Sequence, residues 1–189
     1  MKNAMRMKVV SLLLASAGIA VASTAAQASD GTISINGSVL AATCKINGGT
    51  GGSSNATAEL PKVTITNLAA AGTTTGRTPF TLELTGCSVD VGTPTKVGVL
   101  FEPGTSVDST SGRLHLNAGT TQLPAAKNVQ IQLRDGNQRV INVGTSPAQM
   151  VTIGNDGNAT LTNYAEYYAT GVATAGAANT SVTYSLVYQ

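Results

Sequence analysis

The sequence predicts an all-β protein folded as a β-sandwich, and three observations point there. Short runs of alternating apolar and polar residues recur along most of the chain, at the period-two spacing of half-buried strands. Turn signals rich in Gly, Asn, Asp and Thr separate the runs. The composition includes 21 Gly, no Trp and only 11% charged residues. A Thr-, Val- and Gly-rich chain of this kind suits strands and tight turns better than helices.

The elements follow in order. Residues 31–40 alternate, with Gly31, Ile33, Ile35, Gly37 and Val39 on one face and Thr32, Ser34, Asn36 and Ser38 on the other. A second strand is predicted over 59–66, where Pro61 near its start suits an edge or a strand entry. Residues 80–84 alternate and run into Cys87, and 96–101 form a shorter, more continuously apolar strand. Leu114 and Leu116 flank the single histidine, His115, which places His115 on the solvent face of a strand. Residues 129–133 give the cleanest alternation, followed by the turn Asp135-Gly136-Asn137 and a hairpin partner carrying Val140, Ile141 and Val143. Residues 150–153 and 159–161 flank a turn at Asn155-Asp156-Gly157. The strands 164–170 and 182–189 close the series, the last with Val182, Tyr184, Leu186 and Tyr188 on one face. One helical turn fits 68–71, and the stretches 47–58 and 173–179 read as surface loops.

Residues 1–28 read as a secretory signal peptide. Lys2, Arg6 and Lys8 precede an apolar run, which small residues follow up to Ala26-Gln27-Ala28. The run is shorter than the roughly 20 apolar residues of a membrane span, so cleavage before Ser29 and a mature chain without a membrane span are expected. The leader holds three of the 11 Lys and Arg residues and none of the nine Asp and Glu. The exported part is therefore close to neutral, and no basic patch marks nucleic acid as a partner. Cys44 and Cys87 both lie in the exported part. In an oxidising compartment the expected product is one disulfide, worth about 3–4 kcal/mol in the chain-entropy model.

Catalytic and metal-binding patterns are missing. A triad needs a base held by an acid and touching a nucleophile, and nothing near His115 supplies it. One histidine and two paired cysteines do not make a zinc or copper site. Gly48-Gly49-Thr50-Gly51-Gly52 lacks the Gly-Lys-Ser/Thr ending of a phosphate loop. The Asn155-Asp156-Gly157-Asn158 stretch lacks the alternating carboxylates and closing Glu of a calcium loop. A binding or structural protein without catalytic residues, metal or cofactor is expected.

The face of 31–40 admits two readings on periodicity alone. It is either the first strand of its own sandwich, or an extension that adds a strand to another molecule's sheet. Several motifs then align with one family: Gly31-Thr32-Ile33, Gly37, Val39 and Ala42-Thr43-Cys44 at the start, and Leu84-Thr85-Gly86-Cys87 around the second cysteine. Asn128-Val129-Gln130-Ile131-Gln132-Leu133, Ala165-Glu166-Tyr167-Tyr168-Ala169-Thr170-Gly171 and Ala175-Gly176-Ala177-Ala178-Asn179 continue the series. Gly176 lies 14th from the end, counting Gln189 as one, and Tyr188 is penultimate. Across nearly the whole exported chain this resembles the structural pilins of chaperone–usher fimbriae, close to the type 1 major pilins.

That resemblance implies an incomplete immunoglobulin-like sandwich lacking its seventh strand. Residues 29–42 would form an N-terminal donor-strand extension and 43–189 the pilin domain. Gly31, Ile33, Ile35, Gly37 and Val39 would insert into the next subunit. Val182, Tyr184, Leu186 and Tyr188 would line the acceptor groove, and Gly176 would belong to the chaperone-recognition signature. The implied partners are further copies of this chain and related pilins, a periplasmic chaperone and an outer-membrane usher. The implied route is export through the periplasm to a surface fimbrium. An adaptor or tip pilin of the same system is one alternative; a self-contained exported binding sandwich is another.

Overall fold

Apolar residues on alternate positions drive two sheets together face to face. The computed structural model describes residues 33–37, 39, 44–46, 54–89, 92–145 and 147–189. The signal peptide, its cleavage site and Gly31 lie outside the described residues. The chain divides into two units, Met1–Val39 and Leu40–Gln189. In the first, residues 33–37 and 39 carry no regular secondary structure, and Ile33 and Ile35 are each 90% exposed.

The second unit holds eight strands among the described residues: β1 (Lys45–Ile46), β2 (Thr74–Thr85), β3 (Lys96–Phe101), β4 (Val129–Arg134), β5 (Val140–Ile141), β6 (Val151–Thr152), β7 (Ala159–Ala169) and β8 (Tyr184–Tyr188). Five form one sheet in the order β1-β2-β7-β4-β5, and three form the other in the order β6-β3-β8. Every strand pairing is antiparallel. The inward faces meet in one core that includes Leu82, Leu84, Val97, Val99, Phe101, Leu114, Ile131, Leu133 and Leu161. A smaller cluster of Leu68, Val129, Ala169 and Ala173 closes one end. The Cys44–Cys87 disulfide ties the start of β1 to the turn after β2. Among the described residues no helix is long and apolar enough to cross a membrane.

The all-β sandwich stands as predicted, with local differences. Residues 59–64 form no ladder; the chain passes extended through Pro61 into a 3-10 turn at Ile65–Leu68. Pro61 has no N–H to give a ladder. Strand β2 starts at Thr74, well before the predicted 80, and carries a bulge between Thr75 and Thr78. The two strands expected at 159–161 and 164–170 are one continuous strand, β7, because β2 pairs with it from Tyr168 to Ala159. Around His115 only isolated bridges form, Leu114 pairing with Val107 and Ile131.

The polar side of the large sheet is also largely covered, which explains why all of β4 except Arg134 is buried. Glu166 on β7, 1% exposed in its side chain, accepts from Arg77 Nε on β2 at 2.8 Å and Arg134 Nε on β4 at 2.7 Å. Gln132 Nε2 donates to the same carboxylate at 2.7 Å. Burial pushes the Glu166 carboxyl up, but the hydrogen bonds from Arg134, Arg77 and Gln132 outweigh it and leave it below its ordinary value. Beside this network the Arg113 guanidinium stacks 3.6 Å from the centre of the Tyr168 ring.

Candidate functional site

Among the described residues the last strand has a partner on one side only. β8 pairs with β3 from Val97↔Tyr188 to Phe101↔Tyr184, and the sheet order ends at β8. Among the described residues its other edge carries no strand. Gln189 secures the end of β8: its carbonyl accepts from Thr95 and Lys96 N–H, each at 2.8 Å, and its N–H donates to Lys96 O at 3.0 Å.

Along that free edge runs a groove of about 1,100 Å³. One wall is the end of the chain, where Val182, Tyr184, Leu186 and Tyr188 point in at strand period. The other wall is 54–60, which presents Ala56, Ala58 and Leu60. The floor is the core itself: Phe80, Leu82, Phe101, Leu114, Ile131 and Leu133. All floor residues but Phe80 are buried, whereas the apolar wall residues are only half-buried. A strand laid in this groove would cover exposed apolar surface and complete the small sheet in one step.

Two tyrosines hold the second wall in place. Tyr184 OH donates to Ser54 O, bridging the walls, and Tyr167 OH donates to Pro61 O at 3.2 Å. Burial raises the pKa of both hydroxyls, so both stay protonated donors. Room for the Tyr167 ring comes from Gly76, which sits in the β2 bulge at φ 71°. A Cβ there would lie 2.9 Å from Tyr167 Cδ2. Also on β8, Ser185 Oγ hydrogen-bonds Glu102 Oε1.

Of the residues singled out in the sequence, Val182, Tyr184, Leu186 and Tyr188 come together on one groove wall. Cys44 also borders the groove, disulfide-bonded to Cys87. Gly176 is not among the lining residues. It lies beside the parallel bridge Ala125↔Ala177, and a Cβ there would stand 2.4 Å from Ala126 N and 2.5 Å from Pro124 O. Backbone occupies that space, so Gly176→Ala is expected to destabilise the fold by about 1–3 kcal/mol, as overpacking does. Urea unfolding measures this; an unchanged midpoint would show that the loop yields freely. Ile33, Ile35, Gly37 and Val39 belong to the first unit and are exposed.

Sequence reasoning missed the second wall, because 47–58 read as a loop. The signal was present in Ala56, Ala58 and Leu60, which alternate at period two with Thr57 and Glu59. Among the described residues no triad forms near His115. Its Nδ1 is 3.5 Å from Gln130 Nε2, while Asp108 accepts from Gln130 rather than from the imidazole. The Gln130 hydrogen bond, helped by the Thr110 N–H, holds the Asp108 carboxyl down at about 2. Among the described residues no three His, Cys, Asp or Glu side chains gather as a metal site.

Comparison with known proteins places the chain in a family. Residues 60–189 match the family model described as "Type-1 fimbrial protein, A" (FimA). The chain is 44% identical over 177 residues to the major fimbrial subunit SMF-1 of Stenotrophomonas maltophilia, covering 90% of this chain and 99% of that protein. It is 42% identical over 176 residues to the F17 fimbrial protein of Escherichia coli, covering 90% and 93% respectively. Among solved structures, the P pilus rod subunit PapA shares the fold with a TM-score of 0.59 at 21% identity, over 78% of this chain and 100% of that one. The chain therefore belongs to the type-1 fimbrial protein family and is a fimbrial subunit.

Proposed function

We propose that this subunit polymerises by donor-strand exchange. Residues 31–39 of one copy enter the groove beside β8 of the next, with Ile33, Ile35 and Val39 as buried side chains and Gly31 and Gly37 at shallow positions. The observation that carries this reading is the core-floored groove along the free edge of β8. The exposed alternation of Ile33 and Ile35 supports it from the other end of the chain. Full burial of a large aliphatic side chain contributes about 1.5–3 kcal/mol. Three of them plus a ladder of main-chain bonds make a durable joint. The contact is head to tail and does not close on itself, so it generates a fibre.

An empty groove is an exposed apolar edge prone to aggregation. We therefore assign the vacancy, before assembly, to a strand lent by a periplasmic chaperone and exchanged at an outer-membrane usher. The subunit then reaches the cell surface within the fibre. Deleting 31–40 and co-expressing the product with its chaperone tests the assignment. A soluble chaperone-bound subunit that cannot extend fibres is expected; normal fibres from this variant would refute it. Tyr188→Ser removes an aromatic ring from the groove wall and is expected to weaken chaperone capture in a pull-down. Undiminished capture would remove Tyr188 from the site.

A further inference from the structure

We propose that the Asn36–Gly37 junction is a self-modification site that limits how long an unassembled subunit stays competent to donate its strand. The chemistry is intramolecular. The Gly37 backbone nitrogen attacks Asn36 Cγ; the N–Cγ bond forms and the Cγ–Nδ2 bond breaks. The leaving nitrogen departs as ammonia, carrying the proton that the Gly37 amide gives up. Water then opens the cyclic imide at either carbonyl. Opening at Cγ gives aspartate, and opening at the main-chain carbonyl gives isoaspartate, in which the backbone runs through the former side chain.

Two features of the segment favour the reaction. Residues 33–37 are exposed and belong to no ladder, so no strand pairing holds the Asn36 backbone. Gly37 has no Cβ to shield its nitrogen, and apart from its chain neighbours nothing lies within 4 Å of where one would stand. The other described junctions of this kind are locked. Asp135, before Gly136, accepts from Asn137 N and Arg139 N at 2.9 Å and from Arg139 Nε at 3.0 Å. At Asp156–Gly157 the carboxylate holds Asn158 N and Nδ2 at 3.1 and 2.8 Å. The Gly157 N–H there is already bound to Gly154 O at 2.9 Å.

The consequence rests on the donor-strand reading above. A strand in a ladder has ψ near +135°, which turns the Gly37 nitrogen away from the Asn36 side chain, so insertion stops the reaction. Isoaspartate adds a methylene to the main chain between Ile35 and Gly37. Because side chains alternate faces at period two, this displaces Gly37 and Val39 relative to Ile33 and Ile35. A subunit that waits too long becomes a poor donor, while an assembled one is protected.

The test is incubation of soluble periplasmic subunit and of purified fibres at mildly alkaline pH. Peptide mapping then scores isoaspartate at position 36 separately from Asn47, and aged subunits are assayed for fibre growth. The expected result is isoaspartate at 36 in the soluble subunit and its loss in the fibre. Growth should decline with age in the native chain but persist in Asn36→Gln, whose longer side chain cyclises far less readily. An unmodified Asn36 in the soluble subunit overturns the proposal while leaving the donor-strand reading intact. Equal modification in subunit and fibre overturns the donor-strand reading while the chemistry stands. An age-dependent decline that Asn36→Gln does not prevent removes the proposed limit on competence.

Discussion

Replacing Ile33 and Ile35 together by aspartate is expected to abolish fibre growth while leaving the subunit's own sheets intact. Neither residue belongs to β1–β8, so the core and the Cys44–Cys87 disulfide are untouched. In the joint, each isoleucine would contribute about 1.5–3 kcal/mol by burial. Losing both removes about 3–6 kcal/mol, equivalent to a hundredfold or more in an equilibrium constant at about 1.4 kcal/mol per tenfold. Two unpaired carboxylates on an apolar floor would cost more again. Electron microscopy of the cell surface and the rate of subunit incorporation read the effect. Retained chaperone capture would separate it from misfolding. The complementary variant, Leu186→Asp on the groove wall, is expected to block acceptance as well.

Truncating Glu166 to alanine is expected to be costly although the residue lies outside the groove. It takes the paired carboxylate from Arg77 and Arg134, leaving each only its bond to Gln138, and leaves Gln132 Nε2 without its acceptor. Breaking a buried ion pair by removing one partner costs about 3–5 kcal/mol. Arg77 is 40% exposed and can rehydrate, so the low end applies. For a domain of this size about 3 kcal/mol lowers Tm by roughly 6–12 °C, and thermal unfolding measures it. The pH dependence has a definite sign. The folded pKa of Glu166 lies below its ordinary value, so its contribution is complete above the unfolded carboxylate pKa and is lost as pH falls through the folded one. Glu166→Gln should therefore unfold at a Tm that varies less with acidification than that of the native chain.

The strands that were legible in the sequence are those whose alternating pattern is local. In β8, Tyr184, Leu186 and Tyr188 all face the groove, and the alternation survives to the end of the ladder. In β2, by contrast, residues 74–79 read Thr-Thr-Gly-Arg-Thr-Pro and show no apolar alternation. They are strand because β7 pairs with them from far along the chain. Pro79 fits there because β1 reaches only Leu84 and Thr85, so β2 has one neighbour at that point. The glutamines of β4 alternate as residues of an outward face do. Tertiary packing covered it with Asp108, Arg113 and Glu166, which no window of sequence around 129–133 contains.

The groove was half legible for the same reason. The wall made by the chain's last residues declares itself by period and position, whereas the wall at 54–60 pairs with nothing in a ladder and is held by Tyr167 and Tyr184 from other elements. Gly176 stood out in the sequence only by its place 14th from the end; the Pro124 and Ala126 backbone that would crowd a side chain there is visible only in the fold.

The most direct measurement supplies the proposed strand in isolation. A synthetic peptide of residues 29–42 is added to the chaperone complex of the variant lacking 31–40, and the products are resolved by native mass spectrometry. The account predicts a one-to-one peptide–subunit complex that displaces the chaperone and unfolds at a higher temperature, and no such complex with a peptide carrying Ile33→Asp and Ile35→Asp. Failure of the native peptide to bind, or equal binding of both peptides, would contradict it.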